Sequence, residues 1–112
     1  MQYEELSELA MEIIVNAGAA KSSAMEAIQA AKQENFTTAN EHLKSASQFY
    51  CEAHKAQTAL IRLEAQQAEK NKQLIVPLMM VHAQDHLTMA LMTQDFAREL
   101  IDLYHKLEEK ND

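Results

Sequence analysis

The chain has 112 residues, 47% of them hydrophobic and 24% charged, with one glycine, one proline and one cysteine. Glycine and proline this scarce exclude collagen-like, linker-like and all-β chains, since a turn every ten or so residues would consume those residue types. Ten Lys and Arg against seventeen Asp and Glu give a net charge of −7, with the cations scattered, which argues against nucleic acid as a partner. A single cysteine closes no internal disulfide. The start Met1-Gln2-Tyr3-Glu4-Glu5 carries no basic or apolar leader, and no apolar run approaches the roughly 18 residues of a membrane span. The expectation is one cytoplasmic domain over residues 1–112 with no membrane insertion.

Apolar residues recur at steps of three and four through Leu6, Leu9, Ile13, Ala17, Ala20, Ala24, Ile28 and Ala31, predicting a first helix from about residue 3 to 33. Gly18 interrupts it, at a cost of about 1 kcal/mol relative to alanine unless another backbone packs closely there. The pattern pauses at Glu34-Asn35-Phe36-Thr37. Thr38 with Glu41 then reads as a capping box that opens a second helix. Its stripe is Ala39, Leu43, Ala46, Tyr50, Ala53, Gln57 and Leu60, with one polar seam position, Gln57. It fades in the polar stretch Gln66 to Gln73, where Asn71 tolerates a left-handed backbone. The pattern resumes at Leu74-Ile75-Val76-Pro77, with proline expected in the first turn of a third helix that runs to about Glu109. The seam expected on that helix is Leu78, His82, Asp85, Met89, Met92, Phe96, Leu100, Leu103 and Leu107. Short connections make an all-α, antiparallel three-helix bundle.

The third seam turns polar at Val81-His82-Ala83-Gln84-Asp85-His86-Leu87, where His82, Asp85 and His86 fall within an arc of about 100°. A carboxylate buried alone costs several kcal/mol unless paired, protonated or bound to a cation, so Asp85 calls for an explanation. One reading is a structural hydrogen bond from Asp85 to His82 or His86. Another is metal binding, since nitrogen and oxygen ligands share one face, although one helical turn rarely completes a shell. Known helical metal motifs do not fit: residue 83 is Ala where the zinc-protease pattern needs Glu, and paired Glu-x-x-His motifs are missing. A third reading is a noncatalytic helical adaptor with a Met-rich docking seam of Met79, Met80, Met89 and Met92. Cys51 reads as a small packing residue, and His42, His54 and His105 as solvated or cap-like.

The run Leu78-Met79-Met80-Val81-His82-Ala83-Gln84-Asp85-His86-Leu87 closely resembles the signature of the enzyme IIA components of the lactose/cellobiose (diacetylchitobiose) branch of the bacterial sugar phosphotransferase system. Ala53-His54-Lys55-Ala56-Gln57-Thr58-Ala59-Leu60-Ile61 is similar to a second segment of that family, and Asn16-Ala17-Gly18-Ala19-Ala20-Lys21-Ser22 to a third. The resemblance covers nearly the whole chain. It implies a phosphohistidine carrier in which His82 accepts a phosphoryl group at Nε2 from the phosphocarrier protein HPr. His82 then passes it to a cysteine of the IIB component during uptake of a β-linked disaccharide. A bond at the other ring nitrogen should fix the tautomer, with Gln57, Gln84 and His86 as candidates. The resemblance further implies a homotrimer, three copies forming a nine-helix bundle, with His82 in an intersubunit crevice. There Asp85 of each copy meets a divalent cation on the threefold axis, one ion per trimer, for which octahedral oxygen coordination favours magnesium.

Overall fold

The computed structural model describes residues 2–111, so Met1 and Asp112, the ends of the expected domain, lie outside the described residues. Three helices follow one another: α1 (Gln2–Lys32), α2 (Phe36–Glu69) and α3 (Leu78–Asn111). α1 packs extensively on both partners, whereas α2 and α3 touch each other much less. They form a rod of 64 × 19 × 19 Å. Among the described residues, no helix is long and apolar enough to cross a membrane.

The inner face of α1 is Leu6, Ala10, Ile13, Ala17, Ala20, Ala24, Ala27 and Ala31, all buried, in strict alternation of four and three. Leu9 and Ile28, expected on that stripe, pack at its margin. α2 follows its expected stripe, burying Ala39, Ala46, Ala53 and Ala56, with Leu43, Tyr50 and Leu60 partly buried against the core. The largest departure is on α3. Its packed face is Met80, Ala83, Leu87, Ala90, Gln94, Ala97 and Ile101. The expected seam of Leu78, His82, Asp85, Met89, Met92, Phe96, Leu100, Leu103 and Leu107 is exposed instead. Both stripes have bundle spacing, and size separates them. The alanines at positions 83, 90 and 97 let α3 approach an alanine-lined α1, where Leu, Met and Phe would hold the helices apart.

The helix ends show how the chain reverses. Asn35 N–H donates to the Ala30 carbonyl and Glu34 N–H to that of Ala31, while Glu34 takes a left-handed φ of 62°. The end of α2 repeats this closure. Lys72 N–H donates to Gln67, Asn71 N–H donates to Ala68, and Asn71 has φ 55°. The second turn was legible from Asn71; the first places Glu where glycine is the favoured residue. α2 opens two residues earlier than its expected capping box. Asn35 Oδ1 accepts from Thr38 N–H at 3.2 Å, so Thr38 lies inside the first turn and Asn35 is the cap. Pro77 stands just before α3, its carbonyl accepting from Met80 N–H. Leu74, Ile75 and Val76 lie outside the helices, and the proline that follows disfavours the helical region for Val76.

Two stability predictions arise here. Glu34→Gly removes a left-handed strain of about 1–2 kcal/mol at a modest entropic cost, so urea unfolding should show a net gain of about 1 kcal/mol. Gln94 is 3% exposed, and its Oε1 has no hydrogen-bond partner. Gln94→Met keeps the volume and removes the orphaned acceptor, and calorimetry should show a gain of about 1–2 kcal/mol.

Candidate functional site

Helix phase fixes what faces where along α3. The residue after each core position looks toward α2: Gln84 follows Ala83, and Arg98 and Asp102 follow Ala97 and Ile101 into a hollow shared with Phe36, Asn40 and Leu43 of α2. The residue before each core position therefore looks toward the α1 flank. His82 precedes Ala83 and His86 precedes Leu87, so both imidazoles stand on that flank, one turn apart.

His82 is exposed and His86 half-buried. Their Nε2 atoms lie 3.0 Å apart, with ring centroids at 4.5 Å and planes at 86°. One ring donates N–H and the other accepts on its lone pair, so the pair holds one proton between two nitrogens. Among the described residues, His82 has no other hydrogen bond. The contact couples the two tautomers, since whichever ring donates the other accepts, and it lies at Nε2 of His82 where a bond at the other ring nitrogen was expected.

Gln57 and Gln84 meet each other and not His82. Gln57 Nε2 donates to Gln84 Oε1 at 2.8 Å, and Gln84 Nε2 is 3.8 Å from Met80 Sδ. This part-buried bond joins α2 to α3 in the turn that carries His82 and fixes the rotation of α3 about its own axis. The polar seam position Gln57 thus has a structural partner 27 residues away in sequence.

Asp85 differs most from expectation. It is exposed on the outer stripe and makes no hydrogen bond or ion pair among the described residues; His82 pairs with His86 instead. Among the described residues there is no buried carboxylate to compensate, and no group of three or more His, Cys, Asp or Glu that could hold a metal ion. One chain offers a cation a single carboxylate.

The surroundings of His82 are apolar. Leu78, Met79 and Val81 line a shallow hollow with His82 and Asp85, and Leu78 is 83% exposed. Ile75, 74% exposed, and Val76 are further exposed apolar residues, just before α3, and were missed from sequence. The signal was there: in Leu74-Ile75-Val76, followed by a proline, consecutive side chains diverge and cannot all turn inward. Of the four α3 methionines only Met80 fills the core; Met79, Met89 and Met92 are exposed.

The remaining candidates fall elsewhere. His42 Nδ1 lies 3.2 Å from Glu26 across α1 and α2, and His105 lies 3.2 Å from Glu109 with its ring tilted against Phe36. His54 is exposed near Tyr50. Cys51 is also exposed, so it is not the packing residue expected. Lys55 beside it is engaged by Glu52 at 2.9 Å, and that hydrogen bond and charge raise the lysine pKa above its ordinary value.

The amide clamp is testable by a double-mutant cycle. Gln57→Leu and Gln84→Leu should each destabilise the chain by about 1 kcal/mol in urea unfolding, and the pair should cost less than their sum by a coupling of about 1 kcal/mol.

With the geometry in place, similarity to known proteins becomes informative. The pattern defining the "PTS system, Lactose/Cellobiose specific IIA subunit" family matches residues 8–105. The lichenan-specific phosphotransferase enzyme IIA component of Bacillus subtilis is 43% identical over 107 residues, covering 96% of this chain and 94% of that protein. The N,N'-diacetylchitobiose-specific EIIA component of Escherichia coli is 38% identical, covering 93% of this chain and 86% of that one. Among solved structures, the cellobiose-specific enzyme IIA from Bacillus anthracis superposes with TM-score 0.84 at 39% identity, covering 94% and 93% of the two chains. The IIA(Chitobiose)-HPr complex of Escherichia coli superposes with TM-score 0.75 at 35% identity, covering 92% and 96%. A histidine pair on the third of three long helices thus sits in a scaffold these proteins share over more than nine-tenths of this chain, and the chain belongs to the lactose/cellobiose-specific IIA family of the sugar phosphotransferase system.

Proposed function

We propose that the chain is the phosphohistidine carrier of its system, taking a phosphoryl group from phospho-HPr onto His82 and passing it to a cysteine of the IIB component during uptake of a β-linked disaccharide. The observation that carries this reading is the imidazole of His82, exposed on an apolar surface and bonded at Nε2 to His86 at 3.0 Å. The solved relative in complex with HPr supports HPr as the donor.

The chemistry follows from that bond. In the reacting tautomer His82 carries its proton on Nδ1 and a lone pair on Nε2, toward which His86 Nε2–H is directed. The lone pair forms a bond to phosphorus while the donor's P–N bond breaks and returns its electron pair to the donor ring. Once phosphorus occupies the lone pair, the His86 N–H is left beside the phosphoryl oxygens and donates to one of them. Transfer onward reverses these roles, with the thiolate of IIB forming P–S as the P–N bond to His82 breaks. Exposed apolar side chains at Ile75, Val76, Leu78 and Met79 give both partners a docking surface around the ring.

The working form is a homotrimer, three copies forming a nine-helix bundle with His82 in an intersubunit crevice. Supporting this, Leu78, Met89, Met92, Phe96, Leu100, Leu103 and Leu107 are exposed along one bundle-spaced stripe with Asp85 among them. Three copies about an axis bring three Asp85 carboxylates together, a donor set that suits a hard divalent cation such as magnesium. Bound there, the ion compensates their mutual repulsion. It stands apart from the transferring nitrogen, because Asp85 and His82 point about 60° apart around α3.

Incubation with phosphoenolpyruvate and the two general phosphotransferase proteins should give acid-labile phosphate that is absent in His82→Ala. No labelling of the native chain would overturn the reading and favour a noncatalytic adaptor. His86→Ala should still be labelled, roughly 10- to 100-fold more slowly, as expected for losing one hydrogen bond to a charged group. Metal analysis of native protein should find one ion per three chains. Asp85→Leu should bind none while keeping the trimer, because an apolar side chain replaces a charge needing compensation. One tightly held ion per chain would favour a metal-binding bundle instead.

A further inference from the structure

A phosphoryl group on His82 brings three oxygens and roughly two negative charges, and its own chain meets that load with little. Among the described residues, His86 is the one hydrogen-bond partner of His82, and its single N–H serves one oxygen. Cations are engaged or remote. Lys55 is held by Glu52 at 2.9 Å, and Arg62 lines the groove between α1 and α2, away from α3. Lys21 follows Ala20 on the α1 flank that faces His82, but Ala24 shares a core cluster with Ala97, which sets Lys21 level with about residue 94, roughly 18 Å beyond His82 along the rod. Lys32 is farther still.

α2 carries an unused donor at the right height. Gln57 bonds Gln84 and Phe36 meets His105, so α2 runs antiparallel to α3 in one constant register that sets His54 level with residue 87, in the turn of His86. Gln57 faces α3. His54, one turn before it, stands toward the same side of α2, two heptads after Asn40, which lines the hollow with Arg98 and Asp102. His54 is exposed, its ring centroid 6.1 Å from that of Tyr50, and neither ring nitrogen has a hydrogen-bond partner among the described residues. Its neighbours on this side of α2 have less to offer: Thr58 Oγ1–H is spent on the His54 carbonyl at 3.1 Å, Gln57 Nε2 donates to Gln84, and Ile61 is apolar. Across from them on α3, the exposed Thr88 has a neutral hydroxyl.

His54 does not reach His82 of its own chain. His82 and His86 stand on the flank of α3 toward α1, and His54 lies past the opposite flank, with α3 between them. A threefold ring removes that separation. With the outer stripe of α3 at the axis, each copy has an α1 side and an α2 side, and a closed heterologous ring sets the α1 side of one copy against the α2 side of the next at equal height. We propose that His54 of one copy completes the phosphoryl site on His82 of the adjacent copy, donating a ring N–H to a phosphoryl oxygen that His86 leaves unserved. Either neutral tautomer of His54 has one N–H to give. This role rests on the carrier and the trimer described above and adds to them a catalytic residue supplied in trans.

Supply in trans has a signature that a structural role lacks. His54→Ala should remain a trimer by sedimentation and take phosphate from phospho-HPr roughly 10- to 100-fold more slowly, as for loss of one hydrogen bond to a charged group. His54→Gln, which keeps an N–H, should recover much of that rate. His54→Ala chains are then unfolded and refolded together with His82→Ala chains, which lack the acceptor but keep His54. In random mixed trimers about half of the acceptor chains face an intact His54, so labelling should become biphasic, with about half of the sites at the native rate. A uniformly slow mixture, with mixed trimers present by mass spectrometry, would confine any effect of His54 to its own chain and overturn supply in trans. Labelling of His54→Ala at the native rate, or a loss seen in Thr88→Val and not in His54→Ala, would overturn the assignment as well. Those three results leave the carrier and the trimer standing, whereas a native chain that takes no label, or sediments as a monomer, removes one or the other and this inference with it.

Discussion

Small side chains on the inner faces govern the rest of this structure. Among the described residues, thirteen of the eighteen buried hydrophobic ones are alanine, and only Leu6, Ile13 and Met80 are large and fully enclosed. Alanine against alanine lets helix axes approach toward the short end of the roughly 8–10 Å range, which is how three long helices make a rod 19 Å across. The large apolar residues are displaced outward by the same choice. Leucine, methionine and phenylalanine side chains each bring about 1.5–3 kcal/mol when removed from water, and α3 holds most of that reserve on its outer face.

The alanine seam also sets the chemistry's address. Because Ala83 and Leu87 must face inward, the positions before them, His82 and His86, are forced onto the flank toward α1, and the position after Ala83 is forced toward α2. Gln84 uses that placement to meet Gln57 at 2.8 Å. A clamp on one side of α3 thus restrains the rotation of a histidine pair on the other. The pair needs such restraint, since an Nε2 to Nε2 distance of 3.0 Å is a hydrogen bond only while both rings keep their rotamers.

Much of the fold was legible in the sequence, and what was not has a common cause. Three helices, their antiparallel order, the turn at Asn71 and the α2 stripe all follow from periodicity and local backbone preference. Which of two bundle-spaced stripes on α3 faces inward does not, because spacing ranks Leu78, Met89 and Phe96 at least as highly as Ala83, Ala90 and Ala97. That decision lies in the complementary sizes of another helix, α1, whose alanines accept only small partners. Pro77 and the α2 cap were misplaced for a similar reason: Thr38 satisfies a capping pattern by itself, but Asn35 sits where the reversal through Glu34 delivers the chain. At the site, His82 and His86 were singled out from sequence, and their bond follows from i, i+4 spacing once their shared flank is known. The pairing of Gln57 with Gln84 required knowing how α2 and α3 are phased against each other.

Asp85 shows how two levels of organisation can be written into one helix. On the single chain it stands in solvent and makes no demand on folding, so three helices close on their alanine seam without regard to its charge. The demand arises only when the outer stripe is covered, because desolvating a carboxylate without a partner costs several kcal/mol. A residue neutral to folding and costly to careless association discriminates between ways of covering that stripe. Arrangements that leave the carboxylate at a wet edge or bring several carboxylates to one cation survive; those that bury it alone against leucine and methionine do not. A stripe that carries one carboxylate among large apolar side chains thereby restricts the registers in which it can be covered, and that carboxylate stands about 60° around α3 from His82.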